Sequence, residues 1–235
     1  MAITLAHHKT GGNSTGSSFA LTGITATTLH NLLFAFVTYF TSSGGDVTTI
    51  TVSDNASGVW VLPAGSRAWS SGQGGGAIAY CLDAKSGVTS VTATMSGGGT
   101  ANLAGIGICF AEFTGDTWSS RGTDGITASV LASSTTLSES VSTSTANPVV
   151  FCGINSGPTE NGVVGGFTLI DAPAFLGNVQ GGDCFLVPST PTTATGGFTF
   201  TAARAATGHI VTIAGTAIAG KTVSIPPFFL GSKSG

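Results

Sequence analysis

The sequence contains few charged residues. Only 7% of its 235 residues are Asp, Glu, Lys or Arg, and the formal net charge is -3. Soluble domains usually carry about 25% charged residues. The 7 Lys and Arg residues are scattered singly, whereas nucleic-acid binding depends on clustered cations that neutralise phosphates. We therefore expect no nucleic-acid partner.

The chain also lacks the apolar stretches that membrane insertion and export require. A transmembrane helix needs about 20 consecutive apolar residues, and the longest apolar run, Asn31 to Phe40, falls well short of that. The N-terminus, MAITLAHHKTGG, lacks the charged start, the apolar segment and the small-residue cleavage site of a signal peptide. We expect no membrane partner. The hydroxyl-rich, charge-poor composition is typical of extracellular surfaces, so we expect release by cell lysis, as for virion components. A signal peptide removed from the mature chain is the alternative.

No cysteine stands at the spacing of a metal site. Each of the four lies in an apolar, strand-like setting, and no CxxC or Cys/His zinc pattern occurs: Cys81, Cys109, Cys152 and Cys184. Four cysteines allow three disulfide connectivities, which the sequence cannot distinguish. We favour buried free thiols over disulfides.

Two short motifs match patterns of nucleotide binding or catalysis. GTAIAGKT (215–222) fits a P-loop, but the remaining segment VSIPPFFLGSKSG contains two prolines and leaves no room for the helix that must hold the phosphates. GNSTG (12–16) fits a nucleophile elbow, which needs a helix that this chain does not offer. The acids, such as Asp116 and Asp124, lack the spaced oxygen ligands of a Ca²⁺ site. We predict no catalytic residue, no metal, no cofactor and no enzymatic activity.

The abundant residues are glycine, serine, threonine and apolar residues in short alternating runs. NLLFAFVTYF (Asn31 to Phe40) is the longest run in which almost every side chain is apolar, aromatic or β-branched. An extended strand there would place apolar side chains on both faces. We predict a central strand that needs neighbours on both edges and a layer over its core face.

Further strands are indicated along the rest of the chain. VTTITVSD (Val47 to Asp54) alternates β-branched and polar residues, and NASG (Asn55 to Gly58) is a turn signal. GIGICFAEFTG (Gly105 to Gly115) places Glu112 on the same face as Ile108 and Phe110, where an acid needs a partner or a sheet end. Because turn signals recur about every ten residues, we predict an all-β sandwich or barrel.

The order of these segments resembles a known module. NLLFAFV, TITVSDNASGVW, AIAYCLDAKSGVTSVTATMSG, GICFAEFTG, NPVVFCGI and GGFTLID are similar to a jelly-roll-like β-sandwich of secreted bacterial surface proteins and bacteriophage virion proteins. The resemblance covers roughly Ile3 to Ile218. The module's turn usually reads Asp, two small residues, Asn, one residue, Trp. Here Gly58 stands where Asn is usual and is suited to positive φ, and Trp60 keeps its place as a core or hairpin residue.

The resemblance implies a binding or structural module and transfers no catalytic residue. We therefore expect a single antiparallel β-sandwich, jelly-roll-like, over residues 1–222. The expected function is a non-enzymatic virion structural protein, a capsid decoration or cement protein of a bacteriophage assembled in the host cytoplasm. A carbohydrate-binding or adhesion module on a virion or bacterial surface, and so an extracellular protein, is the alternative.

The candidate contact residues lie in two places. The C-terminal segment 223–235 is predicted to leave the sheet as an extended arm, because two prolines remove backbone donors and fix φ. Its candidate assembly contacts with a capsid protein or with copies of the same chain in a homo-oligomer are Pro226, Pro227, Phe228, Phe229 and Leu230. Folding of these residues back onto their own sandwich is the alternative. Trp69 and Trp118 are the candidate exposed aromatics for stacking on a glycan.

Overall fold

The structure is a computed structural model that describes residues 2–43, 45–72, 74–156, 160–176 and 179–215. Within these ranges the regular structure is strands and two short 3₁₀ helices, Gly98–Asn102 and Trp118–Ser120. No helix in the described ranges is long and apolar enough to cross a membrane. The candidate assembly contacts 226–230 and the whole of the predicted arm lie outside the described residues.

Fourteen strands follow one another along the chain. They are β1 (Thr4–Asn13), β2 (Ser18–Thr22), β3 (Leu32–Thr41), β4 (Thr49–Asp54), β5 (Arg67–Ser70), β6 (Gly74–Cys81), β7 (Ser90–Ser96), β8 (Leu103–Thr114), β9 (Thr123–Ser142), β10 (Val149–Asn155), β11 (Glu160–Val163), β12 (Thr168–Leu176), β13 (Val179–Leu186) and β14 (Thr193–Ile213). All of their pairings are antiparallel.

The strands form three sheets that pack face to face. The central sheet has the order β1-β8-β3-β6-β5, and the small sheet has the order β2-β7-β4. The large sheet has the order β11-β14-β10-β13-β12, with β9 paired to β14. The central sheet lies between the other two, since one of its faces packs on the small sheet and the other on the large sheet.

Strand β3 is the middle strand of the central sheet, as its sequence predicts. It pairs with β8 on one edge and β6 on the other. Its side chains divide between two cores by the alternation of an extended chain. Leu33, Ala35, Val37 and Tyr39 face the small sheet, and Leu32, Phe34 and Phe36 face the large sheet. All seven are fully buried.

Aromatic rings fill the core between the central and large sheets. The ring of Phe34 stacks on that of Phe151 with centroids 4.6 Å apart, and it meets Phe113 edge-on at 5.9 Å. Phe113 in turn contacts Phe185 of β13 at 5.0 Å. Offset stacks and edge contacts of this kind add to the stabilisation from burial. Phe34 therefore lies at the centre of the contact between the two sheets.

A long ribbon of β9 and β14 covers the outer face of the large sheet. The pairing of the two strands shifts register between Thr199 and Ala206, and the ribbon folds back there. A Cβ on Gly125 near the start of β9 would lie 2.4 Å from a methyl of Val141 near its end. The fold-back encloses a third core, with members from both halves of the ribbon and from β10 and β13: Leu137, Phe198, Ala206, Ile210, Val150, Cys152, Ile154 and Cys184.

The all-β antiparallel sandwich predicted from the sequence is therefore confirmed. It contains three sheets, because β3 and β8 present apolar side chains on both faces and each face is covered. The domain boundary at residue 222 lies outside the described residues and stays a prediction.

The position of Phe34 predicts a large stability difference between core and surface truncations. Phe34→Ala should lower the free energy of unfolding by about 3–5 kcal/mol, because it leaves a cavity between two sheets. Val59→Ala is the control, since Val59 is 76% exposed and such surface changes usually stay within about 0.5 kcal/mol. Urea denaturation measures both. Equal losses in the two variants would contradict this account of the core.

Candidate functional site

The outer face of the small sheet is covered with hydroxyl groups. Alternate residues of β2, β4 and β7 point inward to the core, and the others point to solvent. The outward residues, which we call the hydroxyl face, are Ser18, Ala20, Thr22, Thr49, Thr51, Ser53, Ser90, Thr92, Thr94 and Ser96. None of them is charged, and all but Ala20 carry a hydroxyl.

Cross-strand hydrogen bonds order the hydroxyl face. The hydroxyls of Ser18 and Thr94 lie 2.9 Å apart, and those of Thr49 and Ser96 lie 2.5 Å apart. Such pairs stabilise neighbouring strands by about 0.2–1 kcal/mol each. Short Ser and Thr side chains also lose less rotamer entropy on contact than Lys, Arg or Glu side chains. The hydroxyl face is thus a preordered, uncharged surface that can donate and accept hydrogen bonds.

The turn after β4 closes one end of the small sheet. The Asp54 carboxylate accepts hydrogen bonds from the amides of Ala56 at 2.7 Å and Gly58 at 3.0 Å, and from the indole Nε1 of Trp60 at 2.7 Å. Trp60 packs against the core between the small and central sheets, as expected. The Asp and Trp of the turn are therefore one hydrogen-bonded unit with a structural role.

Gly58 differs from expectation in its backbone. The residue with positive φ in this turn is Ser57, at 61°, and Gly58 is not among the positive-φ glycines. Its constraint is space, because a Cβ at position 58 would lie 2.3 Å from Oδ2 of Asp54. The carboxylate that orders the turn thus leaves no room for a side chain there.

Glu112 has the partners that its burial requires. It is fully buried on the side of the central sheet that faces the small sheet. Its Oε1 accepts from the Thr28 amide at 2.9 Å and from Nδ2 of Asn31 at 2.7 Å, and its Oε2 lies 2.6 Å from Nδ1 of His7. Hydrogen bonds on both oxygens offset the cost of desolvating a carboxylate. This group ties β1 and the loop before β3 to β8.

His209 and Thr207 have the geometry of a base beside a nucleophile. The carbonyl of Ser66 lies 2.9 Å from Nδ1 of His209, so Nδ1 carries a proton and Nε2 accepts from the Thr207 hydroxyl at 3.0 Å. Both side chains are fully buried, and burial lowers the pKa of His209 to about 4. Neither side chain is open to solvent. The pair is best explained as a hydrogen-bonded bridge from β14 to the loop before β5.

The neutral state of His209 links folding to pH. Its pKa is about 4 in the folded protein and about 6.5 when unfolded. The unfolded chain therefore binds more protons than the folded protein between these two values. This group contributes its full stability above pH 6.5 and loses it as the pH falls towards 4.

Asp183 is a buried carboxyl group without a hydrogen-bond partner among the described residues. It is fully buried, and neither oxygen accepts a hydrogen bond of normal geometry, although the backbone of Asp171 and of Asp183 itself lies close enough to offset part of the burial cost. It lies opposite Asp171 on β12, and Asp171 contacts Nδ1 of His8 at 3.2 Å. Burial and, to a smaller extent, the charge of Asp171 raise the pKa of Asp183 well above its usual value. The folded protein therefore favours the protonated form of Asp183.

The two tryptophans expected to be exposed are not free surface rings. Trp118 is fully buried beneath the central and large sheets, so its predicted exposure is wrong. The polar residues around Trp118 suggested exposure, but its side chain is buried in a 3₁₀ turn. Asp116, which precedes the turn, and Arg121, which follows it, form an ion pair at 2.8 Å. Trp69 on edge strand β5 is half-buried against the core facing the small sheet. Trp118 therefore offers no face for stacking, whereas the partly exposed Trp69 stays a candidate.

The acids considered for Ca²⁺ binding have other partners. Asp116 pairs with Arg121, and Asp124 accepts hydrogen bonds from the amides and hydroxyls of Ser144 and Thr145. In the part of the chain that the structure describes, no group of three His, Cys, Asp or Glu side chains could hold a metal ion.

All four cysteines are free thiols and are buried, as predicted. Cys81 faces the small sheet and Cys109 faces the large sheet, while Cys152 and Cys184 lie in the core beneath the β9/β14 ribbon. Burial raises the pKa of Cys81, Cys109 and Cys184. In the folded protein these thiols are therefore poor nucleophiles.

The cavities at the surface of the described residues include two that differ in size. One of about 280 Å³ is lined by Ala2, Ile3, Gly115, Asp116, Asn147, Val187 and Gly215. The other, of about 160 Å³, is lined by Val59, Val61, Cys81, Leu82, Asp83, Lys85 and Ser119. No histidine is among these lining residues, and the cysteine of the second cavity, Cys81, is a buried thiol whose pKa is raised by burial.

Comparison of the chain with protein-family models, with curated proteins and with solved structures gives no match. The similarity to virion and bacterial surface modules therefore stays a prediction.

The buried carboxyl of Asp183 predicts that its neutral isostere, asparagine, increases the stability of the fold in a pH-dependent way. Above the unfolded pKa of about 3.9, unfolding lets Asp183 release its proton, so the contribution of this group to wild-type stability falls as the pH rises from 4 to 7. Asp183→Asn removes that loss. The stability of the variant relative to wild type should therefore increase from pH 4 to pH 7 in urea denaturation series.

Asp124→Asn is the control with the opposite sign. Hydrogen bonds from Ser144 and Thr145 lower the pKa of Asp124 despite its partial burial. Asp124 therefore contributes stability above pH 3.9 that is lost as the pH falls below it. Asp124→Asn should destabilise at pH 7 and converge with wild type in acid. The account of Asp183 fails if both variants change in the same direction with pH.

Proposed function

We propose that the protein is a non-enzymatic structural component of a bacteriophage particle, a decoration or cement protein on its capsid. It would assemble in the reducing cytoplasm of the host and leave by lysis. A carbohydrate-binding or adhesion module on a virion or bacterial surface is the alternative.

The observation that carries this proposal is four unpaired, buried thiols beneath a surface of extracellular type. Secreted proteins that fold in an oxidising compartment commonly pair their cysteines, whereas thiols persist where glutathione and thioredoxin keep them reduced. A hydroxyl-rich chain with only 7% charged residues is the kind we associate with the outside of a cell. A virion protein combines both, since it folds inside and works outside.

The hydroxyl face is the proposed contact surface for the capsid protein. Its side chains are short, and hydrogen bonds between neighbouring strands already order several of them. Contact there desolvates no charged group, and each hydroxyl can exchange a water for a partner atom. These properties favour a closely fitting protein surface as the partner.

The glycan alternative has less support from the geometry. Sugar rings are commonly bound by stacking on exposed aromatic faces, and Trp118 is buried while Trp69 is half-buried. The hydroxyl face could still hydrogen-bond a neutral polysaccharide. Binding to purified particles and binding to host polysaccharide therefore distinguish the two functions.

A charge placed in the hydroxyl face should weaken attachment to particles. Thr94 lies on the middle strand of the small sheet and is exposed, so Thr94→Lys keeps the fold while adding a cation that contact would desolvate. We expect the affinity for purified phage particles, measured by cosedimentation, to fall at least about tenfold, which corresponds to about 1.4 kcal/mol of binding free energy.

Thr135→Lys is the matched control, because Thr135 is an exposed threonine on β9 far from that face in the sheet order. It should bind as wild type does. Absence of the wild-type protein from particles, together with polysaccharide binding that Thr94→Lys reduces, would support the adhesion alternative instead.

The predicted arm gives a second test. Removing 223–235 should leave the thermal unfolding of the sandwich unchanged but weaken oligomerisation or particle attachment, because Phe228, Phe229 and Leu230 need an apolar cover. Changing these three residues to alanine keeps the chain length and the prolines, and should have the same effect. Full assembly by the truncated protein would rule out an arm contact, and loss of folding would favour fold-back onto the same sandwich.

A further inference from the structure

Cys152 and Cys184 lie directly opposite each other on neighbouring strands. They are Cα partners in the antiparallel pairing of β10 with β13. Directly opposed residues in such a pair have Cα atoms about 4.5–5.5 Å apart, and a disulfide accepts Cα separations of about 4.4–6.8 Å. Their side chains share one face of the large sheet. The backbone therefore already holds this pair within disulfide range.

The other two cysteines have no such partner. Cys81 lies opposite Leu33, and Cys109 lies opposite Phe36 and Thr10. They also point to opposite faces of the central sheet. Four cysteines allow three connectivities. Two of these join Cys81 and Cys109 to the cysteines of the large sheet, and the geometry favours neither. A Cys81 to Cys109 bridge would have to pass through the sheet.

We propose that Cys152 and Cys184 form an oxidation site, which a small peroxide oxidant converts from two thiols into one disulfide that joins β10 to β13. One thiol attacks the peroxide, becoming a sulfenic acid with loss of water. The second thiol then attacks the sulfenic sulfur and expels a second water. Two thiols and one hydrogen peroxide thus give one disulfide and two waters, with the sulfurs oxidised and the peroxide oxygen reduced.

The β9/β14 ribbon controls access to this site. A Cβ on Gly196 of β14 would lie 3.0 Å from Cβ of Cys152, so the ribbon lies directly over the thiol. Both cysteines are fully buried. Burial and the neighbouring Cys152 thiol both raise the pKa of Cys184, and the thiolate is the reactive form. Oxidation therefore needs opening of the ribbon and is slow in the closed protein.

The disulfide would strengthen the fold without changing its backbone. It joins two adjacent strands in the middle of the large sheet and closes the chain between residues 152 and 184. Crosslinks of this kind stabilise mainly by restricting the unfolded chain. A protein that moves from a reducing to an oxidising environment would form this disulfide after folding. The register and burial of the two thiols do not depend on what the protein binds, so this site is independent of the proposed function.

The test compares protein purified under reducing conditions before and after treatment with hydrogen peroxide. Alkylation in denaturant should count four thiols before treatment and two after it, with the intact mass lower by the two thiol hydrogens. Cleavage after glutamate places Cys152 in fragment 140–160 and Cys184 in fragment 161–235, while Cys81 and Cys109 stay in fragment 1–112. Without reductant, fragments 140–160 and 161–235 should migrate together, and reductant should separate them.

Three further results complete the test. The reaction should accelerate in mild urea that opens the ribbon, and the oxidised protein should melt at a higher temperature than the reduced one. Cys184→Ala should abolish the crosslink, whereas Cys109→Ala, also at a fully buried cysteine, should retain it. The proposal is overturned if treated wild-type protein keeps four thiols, gains oxygen mass in place of a crosslink, or joins fragment 1–112 to another fragment.

Discussion

The structure depends on the burial of both faces of β3. A strand with apolar side chains on one face needs one covering layer, and β3 has large apolar side chains on two. An antiparallel sheet commonly leaves one face to solvent. Here the small sheet covers Leu33, Val37 and Tyr39, and the large sheet covers Phe34 and Phe36. The three-layer arrangement follows from this strand, and the β9/β14 ribbon repeats the same solution for the outer face of the large sheet.

The few charged groups mainly hold loops and strand ends in place. Glu112 ties β1 and the loop before β3 to the central sheet, and Asp54 orders a turn together with its tryptophan. Arg67 contacts Asp46 at 2.6 Å, and Asp46 also accepts a hydrogen bond from the Tyr39 hydroxyl. Because these carboxylates serve internal contacts, the surface of the small sheet is left to serine and threonine. The low charge content of the chain thus agrees with the absence of charged side chains from the hydroxyl face.

The sequence was informative where a local pattern decides the outcome. The two-sided apolar run predicted the central strand, and the isolated acid in β8 predicted buried partners for Glu112. Apolar flanks predicted buried thiols. Long-range packing was not predictable in the same way. Nothing near Trp118 signals that a 3₁₀ turn carries its ring into the core, and the return of the β9/β14 ribbon depends on contacts between residues far apart in sequence, such as Gly125 with Val141. Register, which places Cys152 opposite Cys184, also emerges only from pairing.

The separation of the hydroxyl face from the cysteine pair has a functional consequence. The hydroxyl face belongs to the small sheet, the thiols belong to the large sheet, and the central sheet lies between them. A crosslink between β10 and β13 joins strands that are already paired, so it requires no movement of the central sheet. The proposed crosslink would therefore add stability while the proposed contact surface keeps its shape. The two proposals place partner contact and the crosslink in different layers, so a change in one need not alter the other.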